Sequence, residues 1–194
     1  MDRDLTPAWI TRANLAERQV RMLSRGGPGN PDVTLVEHEG ERLVVKDFAP
    51  RGRLTRLVAP LLIRRELRAY RQLDGHPAVP RVVTRLDALA FALEYRPGEV
   101  LGPGLASWVP ATFIAELREA VAQMHARGVV HLDLRHRSNA LADRDGHPVL
   151  LDFTSSLCFR PGGLTARFLL PLVAWVDTRA ILKWERQLAA ARSR

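Results

Sequence analysis

The segment from Met124 to Phe153, MHARGVVHLDLRHRSNALADRDGHPVLLDF, constrains the chain more than any other part. Asp145-Gly146 is a dipeptide that favours a two-residue type I′ turn, and the apolar runs on either side read as the strands of a hairpin. With these two residues at the tip, pairing runs outward from Arg144 with His147, through Leu141 with Leu150, to Asn139 with Asp152. That register predicts an amide facing a carboxylate at the open end. Asp133, which follows the apolar run Gly128-Val129-Val130, falls a short loop upstream. Two carboxylates and an amide suit a hard cation such as Mg²⁺, which takes few protein ligands and keeps positions for phosphate oxygens and water.

His131-Leu132-Asp133-Leu134 through Asn139, followed by Leu151-Asp152-Phe153, resembles the catalytic loop and metal-binding motif of the protein-kinase-like superfamily. The resemblance implies that Asp133 orients or deprotonates an acceptor hydroxyl, and that Asn139 and Asp152 hold Mg²⁺ on the phosphates of ATP. Arg135 stands near a family position that contacts the transferring phosphate, which implies an electrostatic role. One departure is plain: Arg135, His136, Arg137 and Ser138 make four residues between Asp-Leu and Asn, where the family has three. Either the loop carries an extra residue or Ser138 takes the Asn place, and the expected hairpin register favours Asn139.

The same resemblance extends over roughly residues 20 to 160. Thr34–His38 and Glu41–Phe48 read as strands across a Glu39-Gly40 turn, and Lys46 on the second matches the Lys that meets the nucleotide phosphates. A surface-strand Lys is the plainer alternative. Pro60–Leu73 reads as a helix with Leu62, Ile63, Leu67, Tyr70 and Leu73 on its apolar face. Glu66 falls on that face, where an unpaired carboxylate is costly. Lys46 is its candidate partner, with Arg65 or Arg68 as alternatives at the edge. Gly26, Gly27 and Gly29 occupy the place of the glycine loop over the nucleotide, without spelling its pattern, and two prolines there remove donors. Ala88–Tyr95 reads as a buried strand leading to a hinge flanked by Glu94 and Arg96.

The expected architecture is α+β and two-lobed: a single kinase-like domain over 1–194. Residues of about 18–95 form an antiparallel β lobe with one helix, and about 99–194 form a truncated helical lobe. Pro110–Arg127 is the clearest helix, ended by Gly128. After Phe153 the chain leaves the ordinary protein kinase: Thr154 replaces the usual Gly and no long activation segment or Ala-Pro-Glu follows. This truncation resembles RIO-type atypical kinases and bacterial lipopolysaccharide sugar kinases, implying as acceptor a protein hydroxyl, a sugar or a lipid headgroup. Leu164–Trp184 predicts one or two helices broken near Pro171. Their apolar residues suit the lower-lobe core or, with Trp175 and Trp184 as anchors, a surface lying on a membrane.

Composition bounds the remaining choices. Cys158 is the only cysteine, which excludes an internal disulfide and fits a reducing cytoplasm, including a peripheral position at the inner face of the membrane. The acidic start, Met1–Asp4, is not followed by the apolar run of a secretory signal. Of 29 basic residues all but Lys46 and Lys183 are Arg, so the net charge of +8 reads as coding bias more than as a nucleic-acid surface. A lysine in such a composition is the better clue, because a compact ammonium does what a planar guanidinium does not. A catalytically weak, nucleotide-binding interaction module is the alternative to an active enzyme.

Overall fold

The computed structural model describes residues 9–193; the acidic start, Met1–Asp4, lies outside them. The described chain is mixed α+β, with three α-helices and antiparallel strand pairings. It divides into two compact units: the described part of Met1–Leu67 with Arg81–Tyr95, and Arg68–Pro80 with Arg96–Arg194. Residues 68–80 thus leave the expected boundary and join the second unit. There Gln72 Nε2 donates to the Phe159 carbonyl at 2.7 Å, and His76 Nε2 meets the Ala120 carbonyl at 3.1 Å.

The first unit is a five-stranded sheet of β1 (Gln19–Ser24), β2 (Asp32–His38), β3 (Glu41–Asp47), β4 (Val82–Arg85) and β5 (Ala90–Glu94), in spatial order β1-β2-β3-β5-β4. Glu39 and Gly40 join β2 to β3 with φ of 51° and 83°, the two left-handed positions a type I′ turn requires. That turn sets the register Val36 with Leu43 and Thr34 with Val45. Val36, Leu43, Val45, Ala90, Ala92 and Ile10 bury together, with Trp9 packed against them. Arg12 ties this sheet down by reaching Asp47 and Asp87, each at 2.6 Å, a role its isolated position in sequence does not reveal.

Helix α1 runs from Arg53 to Gln72, starting seven residues before the predicted Pro60. Proline favours a helix start because it lacks an N–H. Here burial of Ala59 and Ile63 on either side carries the helix through it. The added turns leave Leu54 and Leu57 exposed, as is Leu61 just past Pro60, whereas Ile63, Leu67, Tyr70 and Leu73 are buried as the apolar spacing predicts.

In the second unit, β6 (Gly98–Val100), β8 (Ala140–Asp143) and β9 (Pro148–Leu150) form one sheet in the order β6-β8-β9. Two-residue strands β7 (Val129–Val130) and β10 (Leu157–Cys158) form another. Helix α2 (Phe113–Ala126) buries Phe113, Leu117, Val121 and Met124. Gly128 ends its approach to β7 at φ 80°, and a Cβ there would meet the Phe159 carbonyl oxygen at 2.5 Å.

Helix α3 is one continuous element, Leu164–Arg192, with Pro171 inside it. Its buried residues are Asp177, Ala180, Ile181, Trp184 and Leu188, all past the proline. Phe168 and Leu172 are 63% and 66% exposed, so the first half of α3 is not the core that its apolar sequence predicts. Trp184 is no anchor either: it is buried, and its Nε1 donates to the Leu134 carbonyl at 2.8 Å. No helix among the described residues is long and apolar enough to cross a membrane.

Candidate functional site

The second unit builds its candidate site between β7 and β10, whose pairing of Val130 with Leu157 closes the ends of one long excursion. The chain leaves β7 through His131, Leu132 and Asp133, makes a short 3-10 turn at Arg137–Asn139, and enters β8. It returns along β9 to Asp152 and a second 3-10 turn at Phe153–Ser155.

The hairpin between β8 and β9 forms in a register one residue away from the predicted one. Ala140 opposes Leu150 and Ala142 opposes Pro148, so the tip is the three-residue loop Arg144-Asp145-Gly146. The cause is the side chain of Asp143, whose Oδ1 accepts from the Asp145 and His147 amides at 3.0 and 2.8 Å. Gly146, at φ 83°, takes the left-handed position that closes such a loop. A one-residue slip exchanges the faces of a strand. Asn139 therefore opposes Leu151, whose amide donates to the Asn139 carbonyl at 2.8 Å, and Asp152 lies one residue further on.

Asn139 and Asp133 meet by another route. The buried Asn139 side chain donates from Nδ2 to the Asp133 carboxylate at 2.8 Å and to the Asp133 carbonyl at 3.0 Å. Those two bonds fix the amide so that Oδ1 is its acceptor atom, and Ser138 Oγ donates to it at 3.2 Å. Ser138 is itself exposed and bonded to His136 Nδ1 at 2.7 Å. The strand register from which the sequence favoured Asn139 over Ser138 does not form, and of the two side chains Asn139 is the buried one.

His131 couples this loop to the returning strand. It is fully buried, its Nε2 meets the Leu151 carbonyl at 2.8 Å, and its Nδ1 accepts from the Asp133 amide at 3.3 Å. One donor and one acceptor define a neutral imidazole protonated at Nε2. Its ring packs on Phe153 with centroids 4.8 Å apart, and Tyr70 meets Phe153 edge-on at 5.0 Å.

Burial holds the His131 pKa below the ordinary 6.5, and burial acts on His76 in the same direction. A histidine protonated more readily when unfolded contributes stability above its unfolded pKa and loses it as pH falls toward the folded pKa. The melting temperature is therefore expected to drop between about pH 7.5 and about pH 5.5, and His131→Gln to flatten that drop.

The residue that secures the loop is one the sequence reading passed over. Asp177, on α3, is 0% exposed, and its carboxylate accepts from the His131 and Leu132 amides, each at 2.8 Å. His125 Nε2, in the last turn of α2, meets the same carboxylate at 2.9 Å. Leu132 is held at φ 69° and Asp152 at φ 61°, left-handed conformations that cost a non-glycine residue about 1 to 2 kcal/mol. Such strain persists where surrounding bonds over-determine it, and it gathers at functional sites. Thr154 Oγ1 donates to Asp152 Oδ1.

Asp152 offers carboxylate oxygens and Asn139 an amide oxygen, the ligand type that a hard cation takes. Among the described residues no group of three or more His, Cys, Asp or Glu side chains forms a metal cage. A magnesium ion held here would therefore draw its remaining ligands from phosphate and water. Arg135 is exposed, and its carbonyl accepts from Lys183 Nζ at 2.9 Å.

In the first unit, Lys46 Nζ lies 2.6 Å from Glu66 Oε1, and both side chains are almost fully buried. The strand alternation of β3 and the periodicity of α1 each direct one of these charges inward, where neither is stable alone. Gly26 belongs to the turn between β1 and β2. A Cβ there would come within 2.3 Å of two carbonyl oxygens, and its amide donates to Asp32 Oδ1 at 2.9 Å. That donation leaves Gly27 and Gly29, which have open space around them, as the remaining glycines of the loop. Glu94 ends β5 with its carboxylate on the Arg81 amide at 3.2 Å, and Arg96 follows in the segment after it.

A stretch of 144 residues is 33% identical to CBL-interacting protein kinase 25 of Oryza sativa subsp. japonica. The similarity is to a protein kinase. It covers 66% of this chain and 27% of the rice protein. No protein-family model matches the chain.

Proposed function

We propose that this protein is an ATP-dependent phosphotransferase of kinase-like fold that moves the γ-phosphoryl group to a hydroxyl acceptor. The observation that carries the reading is the bonded loop itself: Asp133 clasped by Asn139, and joined through His131 to the strand that delivers Asp152. Asp133 is the group that orients or accepts the proton of the acceptor hydroxyl. Asn139 and Asp152 hold Mg²⁺, which neutralises charge on the transferring phosphate. Arg135 adds positive charge on the acceptor side.

Lys46, kept in place by Glu66, binds nucleotide phosphates in this reading. Gly26 shapes the turn that carries Gly27 and Gly29, and Glu94 and Arg96 flank the hinge. The short stretch between Asp152 and the start of α3 at Leu164 favours the RIO-type and sugar-kinase end of the superfamily, with a protein hydroxyl, a sugar or a lipid headgroup as acceptor. A cytoplasmic position, including one at the inner face of a membrane, suits all three. A nucleotide-binding interaction module is the second reading. It is favoured by the Gly26 amide being spent on Asp32, and is distinguished by binding without turnover.

Calorimetry with ATP and Mg²⁺ tests the nucleotide assignment. The full chain is expected to bind, and Lys46→Met to weaken binding at least about tenfold. Breaking a buried pair costs about 3 to 5 kcal/mol, so Lys46→Met also lowers stability. Lys46→Met/Glu66→Leu removes both charges and is expected to regain stability without regaining affinity. Recovery of affinity in the double variant would contradict the assignment.

A further inference from the structure

Beside the candidate site, a cavity of about 400 Å³ is lined by Arg135, Trp175, Val176, Arg179, Leu182, Lys183 and Arg186. Four cations and no carboxylate face it. Residues 175, 179, 182, 183 and 186 follow the helical repeat and share one face of α3. The two acidic residues of that helix are engaged elsewhere: Asp177 is buried on the His131 loop and Glu185 pairs with Arg118. Four like charges around one cavity repel one another unless an anion compensates them.

Two of these cations, Arg179 and Lys183, are also held in place. The Arg179 guanidinium lies 5.2 Å from the centroid of the half-exposed Trp175 ring. Lys183 Nζ sits 4.1 Å above the Trp184 ring and donates to the Arg135 carbonyl. Lys183 is one of only two lysines in a chain otherwise basic through arginine. A compact ammonium serves both contacts, and the backbone bond fastens the cavity to the loop two residues past Asp133.

We propose that this cavity binds a phosphate-class anionic group carried by the acceptor. The acceptor assignment rests on the phosphotransferase reading; the anion site does not. Its volume lies within the range of small-molecule clefts, and guanidinium groups match phosphate oxygens in pairs. The acceptor is accordingly an already phosphorylated or otherwise multiply anionic molecule, and Arg135 belongs to both its binding and its reaction.

The test is titration of inorganic pyrophosphate into the full chain without Mg²⁺, beside Arg179→Gln/Arg186→Gln. Both positions are exposed, so the variant is expected to fold. Wild-type protein is expected to show a saturable binding component that the double variant weakens at least about tenfold. ATP binding with Mg²⁺, measured on the same samples, is expected to be equal in both proteins. Co-sedimentation with phosphatidylcholine vesicles containing phosphatidic acid, lost in the variant, would identify the anion as a lipid headgroup; pyrophosphate binding without co-sedimentation would identify a soluble phosphate. Wild-type and variant proteins that bind pyrophosphate and vesicles alike would overturn the proposal. Loss of pyrophosphate binding in the variant, with no ATP binding by either protein, would keep the anion site and remove the phosphotransferase reading.

Discussion

Asp133→Asn is expected to slow phosphoryl transfer by about 10² to 10⁴-fold, the span that a positioned general base contributes. The substitution keeps the size of the side chain and an oxygen that accepts from Asn139 Nδ2, a bond of 2.8 Å in the wild-type chain. It removes the carboxylate's capacity to take a proton. Stability and ATP affinity are therefore expected to stay near wild type while turnover collapses. Initial rates at saturating ATP, set beside calorimetric affinities, separate these effects. Equal losses in affinity and rate would place Asp133 in nucleotide binding instead.

Asp177→Ala is expected to be the most destabilising single change at the site. Its carboxylate accepts from the His131 and Leu132 amides and meets His125 in a fully buried position. Each buried donor left without a partner costs about 1 to 3 kcal/mol, and the lost pair with His125 adds to that. A total of about 3 to 5 kcal/mol would consume a large part of the 5 to 15 kcal/mol that holds a typical domain together. Leu132, no longer held at φ 69°, would relax and release Asp133 from its position. Asp177→Asn retains one acceptor oxygen, so chemical denaturation is expected to rank it between wild type and alanine. An alanine variant as stable as wild type would show that the loop is held by other means.

Some of this was legible in the sequence because single residues forced the outcome. Glu39-Gly40 supplied the two left-handed positions of the β2–β3 turn, and that turn fixed which side of β3 Lys46 faces. The spacing of Ile63, Leu67 and Tyr70 then set Glu66 on the buried side of its helix. Asp177 was hidden for an equally physical reason. On a helix rich in apolar residues an acid reads as a solvent-facing interruption, and its partners are backbone amides distant in sequence. The hairpin register was misplaced because Asp143 caps the turn with its own side chain and adds a residue to the loop. Pro60 and Pro171 read as boundaries, but both helices continue through them, the first with Ala59 and Ile63 buried on either side of its proline. The apolar first half of α3 suited either the core or a surface, and it is exposed, because the second half is what meets the loop and α2.

The central claim is that a braced Asp133–Asn139 pair with Asp152 supports magnesium-dependent phosphoryl transfer. Its most direct test is release or transfer of label from γ-labelled ATP by the purified full chain, with Mg²⁺ and then with the metal chelated. Labelled product that requires Mg²⁺ and is abolished by Asp133→Asn is the expected result. ATP bound with Mg²⁺ yet no labelled product in the presence of protein, sugar-phosphate or lipid acceptors would contradict it and leave a nucleotide-binding module.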